Sequence, residues 1–290
     1  MVATPELSAS ITPPHDLGHL PHVIVRIKDQ QLAISSACVR RLLLMPDVIA
    51  VPHSPPEIRG VIKVRDVVIP LLDLRVQFAM PSLVQETQET IQLLHDREQD
   101  HKNWIAELLA SVDAKRPFTL ARNPHQCKFG KWYDTYKPEN QSVAFLSLWR
   151  AFDKPHCRIH AIADKVCDLA AKGDYAAARD IIKAVRDSDL QEMIRLFAEV
   201  RATLRQTTRE VAIVLGQADR QLALCADGIV AIETLDLDAI QPISEMFNAS
   251  DAVLTPYVAR RPNSSQVVLM LQSEQLFKRA HSRVPASAHA

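Results

Sequence analysis

From Val23 to Phe78 the apolar residues come in short runs rich in Val and Ile: VIVRI, QLAIS, VIKV and VVIPLLDL. Pro46, Pro52, Pro55, Pro56 and Gly60 break these runs, so the segment reads as short β-strands. From about Ser82 to Arg209 the texture changes to long stretches dense in Gln, Glu, Lys, Ala and Leu with few glycines or prolines, which predicts helices. REVAIVLG, QLALCADGIVAIETL and QVVLMLQ then resume the β-branched pattern. The order β, α, β predicts an α+β chain in which a helical domain interrupts a β domain.

The boundaries that follow are a leader over 1–20, a β segment over 21–83, a helical domain over 84–208, a second β segment over 209–279 and a tail over 280–290. The leader and the tail, rich in Pro, Ser, Thr or Ala and without an apolar period, read as unstructured. A domain whose ends lie close together can replace a surface loop at small entropic cost. An even number of helices meets that condition, which predicts a four-helix bundle with helices over about 86–113, near 140–150, over about 154–171 and over about 175–208. Gly173 and Asp174 are the expected C-cap and N-cap between the last two. Gly60, Gly130, Gly173, Gly216 and Gly228 are expected at turns.

Composition narrows the function. The 34 basic and 34 acidic residues cancel and are interleaved along the chain, unlike the one-sided basic excess of a nucleic-acid binder. No apolar run approaches the roughly 18–20 residues that span a bilayer, and the start, MVATPELSAS, has neither a basic nor an apolar leader region, so a cytoplasmic protein without membrane insertion is expected. Cys38, Cys127, Cys157, Cys167 and Cys225 are odd in number and irregularly spaced, which argues against a disulfide framework.

On the first predicted helix His101, Trp104, Ile105 and Leu108 fall on one stripe, so His101 faces the bundle core. On the third, His156 and His160 project from successive turns of one face, roughly 6 Å apart, within reach of one metal ion. Pro155 is tolerated there because Asp153 can cap the helix and place the proline in its first turn. Between these helices lies PHQCKFGKWYDTY, with Cys127, the glycine Gly130 and the aromatic Trp132. One thiolate and three imidazoles can close a tetrahedral zinc shell. Taken alone, a pair of histidines four residues apart is equally a hydrogen-bonded core pair. His15, His19 and His22 lie in or beside the leader, His95 falls on another face, His125 is a spare ligand at most, and Cys157 points away from the pair.

The stretches DHKNWIAELL, HQCKFGKWY and KPHCRIHAIADKVCDLAAKGDYAAARDII resemble the chemoreceptor zinc-binding (CZB) domain, a four-helix bundle with a site of three histidines and one cysteine. The resemblance implies Zn2+ held by His101, Cys127, His156 and His160, with Gly130 and Trp132 shaping the loop that carries Cys127.

The flanking run VPHSPPEIRGVIKVRDVVIPLLDLRVQF resembles the signature of CheW-type chemotaxis coupling proteins through Pro55, Ile58, Gly60, Arg65, Pro70, Asp73 and Leu74. Downstream, the Asp227–Gly228 turn in QLALCADGIVAIETL and the run QVVLMLQSEQLF agree with it. This resemblance implies a pair of SH3-like β-barrels and an adaptor that bridges a CheA-type histidine kinase to the cytoplasmic tip of a chemoreceptor, with Ile58, Gly60 and Arg65 as partner-binding residues. It leaves room for a homodimer through the bundle. Two positions depart from the family: Asp66 stands where a glycine follows the arginine, and Arg41 stands where an acid faces it. Asp66 is the candidate to pair with Arg65.

The functional expectation is a non-enzymatic signalling adaptor whose inserted domain senses an oxidant, because Cys127 is the one soft, oxidisable ligand; the resemblance to the chemoreceptor zinc-binding domain implies hypochlorous acid, or zinc itself, as the signal. A purely structural zinc is the alternative within that class. A zinc hydrolase is the alternative outside it, but that chemistry needs a glutamate beside the first histidine and an open coordination position, and the neighbour here is Cys157.

Overall fold

The computed structural model describes residues 20–138, 142–236, 238, 240–243, 254–262 and 264–283. The leader assignment, apart from Leu20, and the last seven residues of the tail lie outside them. Two compact units emerge: residues 1–83 with 209–290, and residues 84–208.

Among the described residues the first unit is built on twelve strands: β1 (Pro21–Ile27), β2 (Gln30–Ser35), β3 (Val39–Leu44), β4 (Val48–Ile49), β5 (Ile58–Val64), β6 (Val67–Asp73), β7 (Val211–Gln217), β8 (Arg220–Ala226), β9 (Gly228–Thr234), β10 (Ile240–Pro242), β11 (Tyr257–Arg260) and β12 (Val267–Leu271). They form two six-stranded sheets, β10-β11-β12-β2-β1-β9 and β3-β7-β8-β6-β5-β4. The pairs β12–β2 and β6–β8 are parallel; the rest are antiparallel. Strands from after the helical segment thus lie in the middle of the second sheet. The expectation of SH3-like barrels is corrected here: among the described residues no ladder joins the outer strands of either sheet, so both sheets are open.

Apolar runs without alternation become intelligible from the burial. Val23, Val25, Ile27, Leu32 and Ile34 share one core with Ile213, Leu215, Leu222 and Leu224. The alternate residues of the first sheet, Ile24 and Ala33, pack with Tyr257 and Val268, and those of the second, Ala212, Val214 and Ala223, with Ile62 and Leu71. Strands buried on both faces need apolar residues at every position.

Helix α1 (Leu74–Gln77) follows β6, capped by Asp73, whose Oδ1 accepts the Arg75 and Val76 amides. Arg75 then donates through Nε and Nη2 to the carboxylate of Asp227, at 2.7 and 2.6 Å, and both side chains are buried. The closing helix of this unit, Ser273–Arg283, covers the shared core with Leu276, Phe277 and Ala280. An unstructured tail from residue 280 is therefore wrong for its first four residues: buried Ala280 completes an i, i+4 stripe with Leu276 that carries the helix on.

Among the described residues the second unit contains six α-helices: α2 (Leu83–Asp113), α3 (Lys128–Thr135), α4 (Val143–Ala151), α5 (Asp153–Ala171), α6 (Tyr175–Asp187) and α7 (Asp189–Thr207). A plain four-helix count is corrected in two places. The helix expected over 175–208 breaks at Ser188, whose φ of −119° and ψ of −85° leave the helical region, and Arg158 of α5 pins the new start by pairing with Asp189 and Glu192. The segment around Gly130, read as a turn, forms α3. Asp153 is the first residue of α5 rather than its cap, a position held by Phe152 without a side-chain bond. Gly173 (φ +82°) ends α5 and Asp174 caps α6 by accepting the Ala177 amide. Leu94, Ile105, Leu108, Phe129, Phe145, Phe152, Ile159 and Phe197 lie in the unit's core. None of the described helices is long and apolar enough to cross a membrane.

Candidate metal centre

In α2, Glu98 packs inward and is held by Lys102 and Arg201, and His101 follows on the same buried face. The Nδ1–H of His101 donates to the Arg97 carbonyl at 2.7 Å, which fixes the tautomer and turns the Nε2 lone pair into the core. That Nε2 is buried with no hydrogen-bond partner.

His156 and His160 occupy successive turns of α5, with ring centroids 4.9 Å apart. Their rings lie 5.1 and 5.8 Å from that of His101. Neither nitrogen of His160 has a hydrogen-bond partner of good geometry.

Cys127 arrives at this group because it caps α3. A short 3-10 turn, Pro124–Gln126, delivers it, and its sulfur receives the Gly130 amide at 3.2 Å. Gly130 is required by close approach: a Cβ there would stand 2.0 Å from the carbonyl oxygen of Pro124. The sulfur therefore sits at a helix N-terminus, where partial positive charge favours a thiolate.

The four donor groups lie within 4.8 Å of one another. Aromatic rings wall them in: Phe129 sits 5.6 Å from His101 and 4.9 Å from His156, and Trp104 sits 4.8 Å from His160. Trp104 is itself anchored by its Nε1–H, which donates to the Ala121 carbonyl at 2.8 Å. Burial lowers the pKa of all three histidines. That of His156 falls to about 3, with His101 and His160 adding to the effect, and that of His160 to about 4, with His101 adding. Burial raises the Cys127 thiol, and the Gly130 and Phe129 amides act against it.

Three neutral imidazoles with buried lone pairs facing one thiol fit a soft-to-borderline cation. Donors of a tetrahedral zinc, at about 2.3 Å for sulfur and about 2.0 Å for nitrogen, lie about 3.5 Å apart. The contact between Cys127 Sγ and His156 Nε2 is 3.2 Å. His101 Nε2 and both nitrogens of His160 are buried without a hydrogen bond of good geometry, an arrangement that costs roughly 1–3 kcal/mol per group when no partner is supplied.

The remaining histidines and cysteines stand apart. His125 is exposed and binds Asp134, His95 is exposed on α2, and Cys157 points toward Asp153. His22, read as part of the leader margin, is instead a buried residue of β1 with no hydrogen bond of good geometry on either ring nitrogen. Of the residues expected on the partner surface, Ile58 is in the shared core and Gly60, at φ +146°, sits in a β-bulge where a Cβ would meet the Ile49 carbonyl at 2.2 Å. Only Arg65, at the β5–β6 hairpin, is exposed, and Asp66 forms no ion pair with it.

A second group, Asp73, Glu210 and Cys225, was not singled out for this chemistry by sequence. The side chains are buried in the first unit, and Glu210 is already neutralised by Arg59 and accepts the Cys225 thiol. The glutamate comes from the far side of the helical segment, so no local spacing could reveal the group.

Residues 21–108 match the CheW-like domain family, and residues 101–167 match the chemoreceptor zinc-binding domain family. The chain thus carries a CheW-like domain followed by a chemoreceptor zinc-binding domain, the two matches overlapping over residues 101–108. Comparison with curated proteins gives no match. A matching solved structure is the scaffolding protein TtCheW from Thermoanaerobacter tengcongensis, at 9% identity over 92% of this chain and 97% of that one, with a TM-score of 0.43.

Proposed function

We propose that the chain is a cytoplasmic, non-enzymatic adaptor that couples chemoreceptors to a CheA-type histidine kinase, and that its helical domain senses oxidant or zinc through Zn2+ held by His101, Cys127, His156 and His160. The observation that carries the sensory part is the convergence of these four donors, from α2, the cap of α3 and α5, within 4.8 Å in a buried aromatic shell. When bound, zinc would supply a closed structural cross-link between the helices.

The chain's own residues do the rest. Arg97 orients His101 through its carbonyl, Gly130 admits the loop that carries the sulfur, and Phe129, Phe197 and Trp104 keep water from the imidazoles. Cys127 is partly accessible, whereas the histidines are buried. A two-electron oxidant therefore meets the sulfur first: the thiolate and hypochlorous acid give sulfenic acid and chloride. The Cys127 arm of the site then weakens, and α5, which carries two of the other three ligands, loses its tie to α3.

Division of the chain into independently folding parts at 83/84 and 208/209 belongs to the same reading, because each unit has its own buried core. The test is to purify the chain from cells with whatever accompanies it and to assay metal in the same sample. A kinase in the eluate and one zinc per chain support the reading. Metal-free protein without a kinase overturns it.

A further inference from the structure

Arg40 and Arg41 on β3 and Arg65 on the β5–β6 hairpin line one surface cavity of about 360 Å3, together with Val64, Val67, Gly216, Ala218 and Gln221. Among the described residues no acidic side chain lines it, and none of the three arginines forms an ion pair. Asp66 and Asp219 stand next to the hairpin residues Arg65 and Ala218 in sequence, yet neither reaches a guanidinium in this group. Three like charges converging on one concavity repel one another unless an anion joins them.

The cavity is shaped to hold these side chains. Gly216 leaves the space that Arg40 fills: a Cβ there would stand 2.7 Å from Arg40 Nε and 2.8 Å from its Cγ, so the Arg40 stem lies across bare backbone. β3 is also an outer strand of its sheet, with β7 on one side and no strand on the other among the described residues. Its backbone is open to pairing, and Leu44 at its end is 67% exposed.

From these features we propose that the cavity binds an extended acidic segment of a protein partner, which pairs with the free edge of β3 and sets carboxylates from alternate residues against Arg40, Arg41 and Arg65. Residues i and i+2 of an added strand face the same side, so one segment can present two carboxylates to the guanidinium group. Guanidinium forks take carboxylates in bidentate fashion, which makes arginine the suitable residue here. The proposal deepens the adaptor reading by naming the chemistry of a partner surface, and it rests on that reading only for who the partner is.

The probe is a fluorescein-labelled eight-residue peptide with glutamates two residues apart, titrated into the full-length protein and read by polarisation. Its Gln counterpart and inorganic pyrophosphate serve as competitors. The proposal expects saturable binding, at least tenfold weaker for the Gln peptide, at least tenfold weaker in Arg41→Glu and in Arg65→Glu, and unchanged in the control Arg150→Glu in α4. Gly216→Ala keeps all charges but displaces Arg40, and it should weaken binding several-fold even if a charge-reversal variant folds poorly. Absence of binding to the wild type, or equal loss in Arg150→Glu, overturns the proposal. Pyrophosphate binding with no peptide binding overturns the assigned occupant. Peptide binding in a protein that captures no kinase leaves the site standing and removes the adaptor reading, whereas kinase capture by a wild-type protein that binds no peptide removes the site alone.

Discussion

The sulfur of Cys127 lies 3.2 Å from Nε2 of His156 and at the same distance from the amide nitrogen of Gly130. One atom therefore ties the start of α3 to the first turns of α5. Because the other side of the group is His101 of α2, removing the ligands should loosen three helices together. His156→Ala combined with His160→Ala should leave the protein without zinc, since two ligands do not hold it tightly. It should also lower the melting temperature of the helical unit by on the order of 10 °C if the wild-type metal is well above its Kd. Elemental analysis and differential scanning calorimetry on the same samples check both.

Gly130→Ala should act on the site without touching a donor. The added methyl group meets the Pro124 carbonyl at 2.0 Å, and backbone rather than a flexible side chain must move. The loop that delivers Cys127 shifts, and zinc affinity should fall at least tenfold in a competitive chelator titration while the helix content measured by circular dichroism stays near wild type.

How much of this was legible in the sequence differs by element. The stripe of His101, Trp104, Ile105 and Leu108 exposes a helical period and puts His101 inside, and the separation of His156 from His160 fixes their shared face. The four donors are brought together from three segments, and the family resemblance rather than the spacing points to that. The break at Ser188 was hidden because the apolar stripe continues from Ile182 to Leu190 and Met193 with no proline or glycine between. Open sheets in place of barrels could not be read from strands whose two faces are both buried, because such runs carry no alternation that assigns a face. Arg75 and Asp227 pair over 152 positions of sequence, beyond the reach of any local signal.

That buried pair makes a separate prediction. Asp227 accepts Arg75 through both carboxylate oxygens and also the Lys28 amide, so it ties α1 to the β8–β9 turn and the β1–β2 hairpin. Asp227→Ala removes the carboxylate that pairs with a buried guanidinium, at a cost of about 3–5 kcal/mol. Urea denaturation of the CheW-like unit should show a loss of that size with little change in the melting of the helical unit.

His22 should give the CheW-like unit a pH dependence on the acid side. Burial lowers its pKa below the ordinary 6.5, the backbone of Leu20 opposing this in part, so the folded state holds the neutral ring and the unfolded state takes up the proton more readily. Stability contributed above about pH 6.5 is then lost as the pH falls toward the depressed folded value. His22→Leu should flatten that part of the stability curve between pH 7 and pH 5. It should also be more stable than wild type by roughly 1–3 kcal/mol at pH 5, since it replaces a buried polar ring, which the unfolded state protonates more readily, with an apolar side chain.

The sensory account is tested most directly by the affinity of the zinc-loaded, full-length protein for a CheA-type kinase regulatory domain, measured with and without a stoichiometric pulse of hypochlorous acid, in wild type and in Cys127→Ser. The account predicts a several-fold change in wild-type affinity on oxidation and none in Cys127→Ser. Unchanged wild-type affinity, or the same change in both proteins, would contradict it and leave the zinc as a structural cross-link.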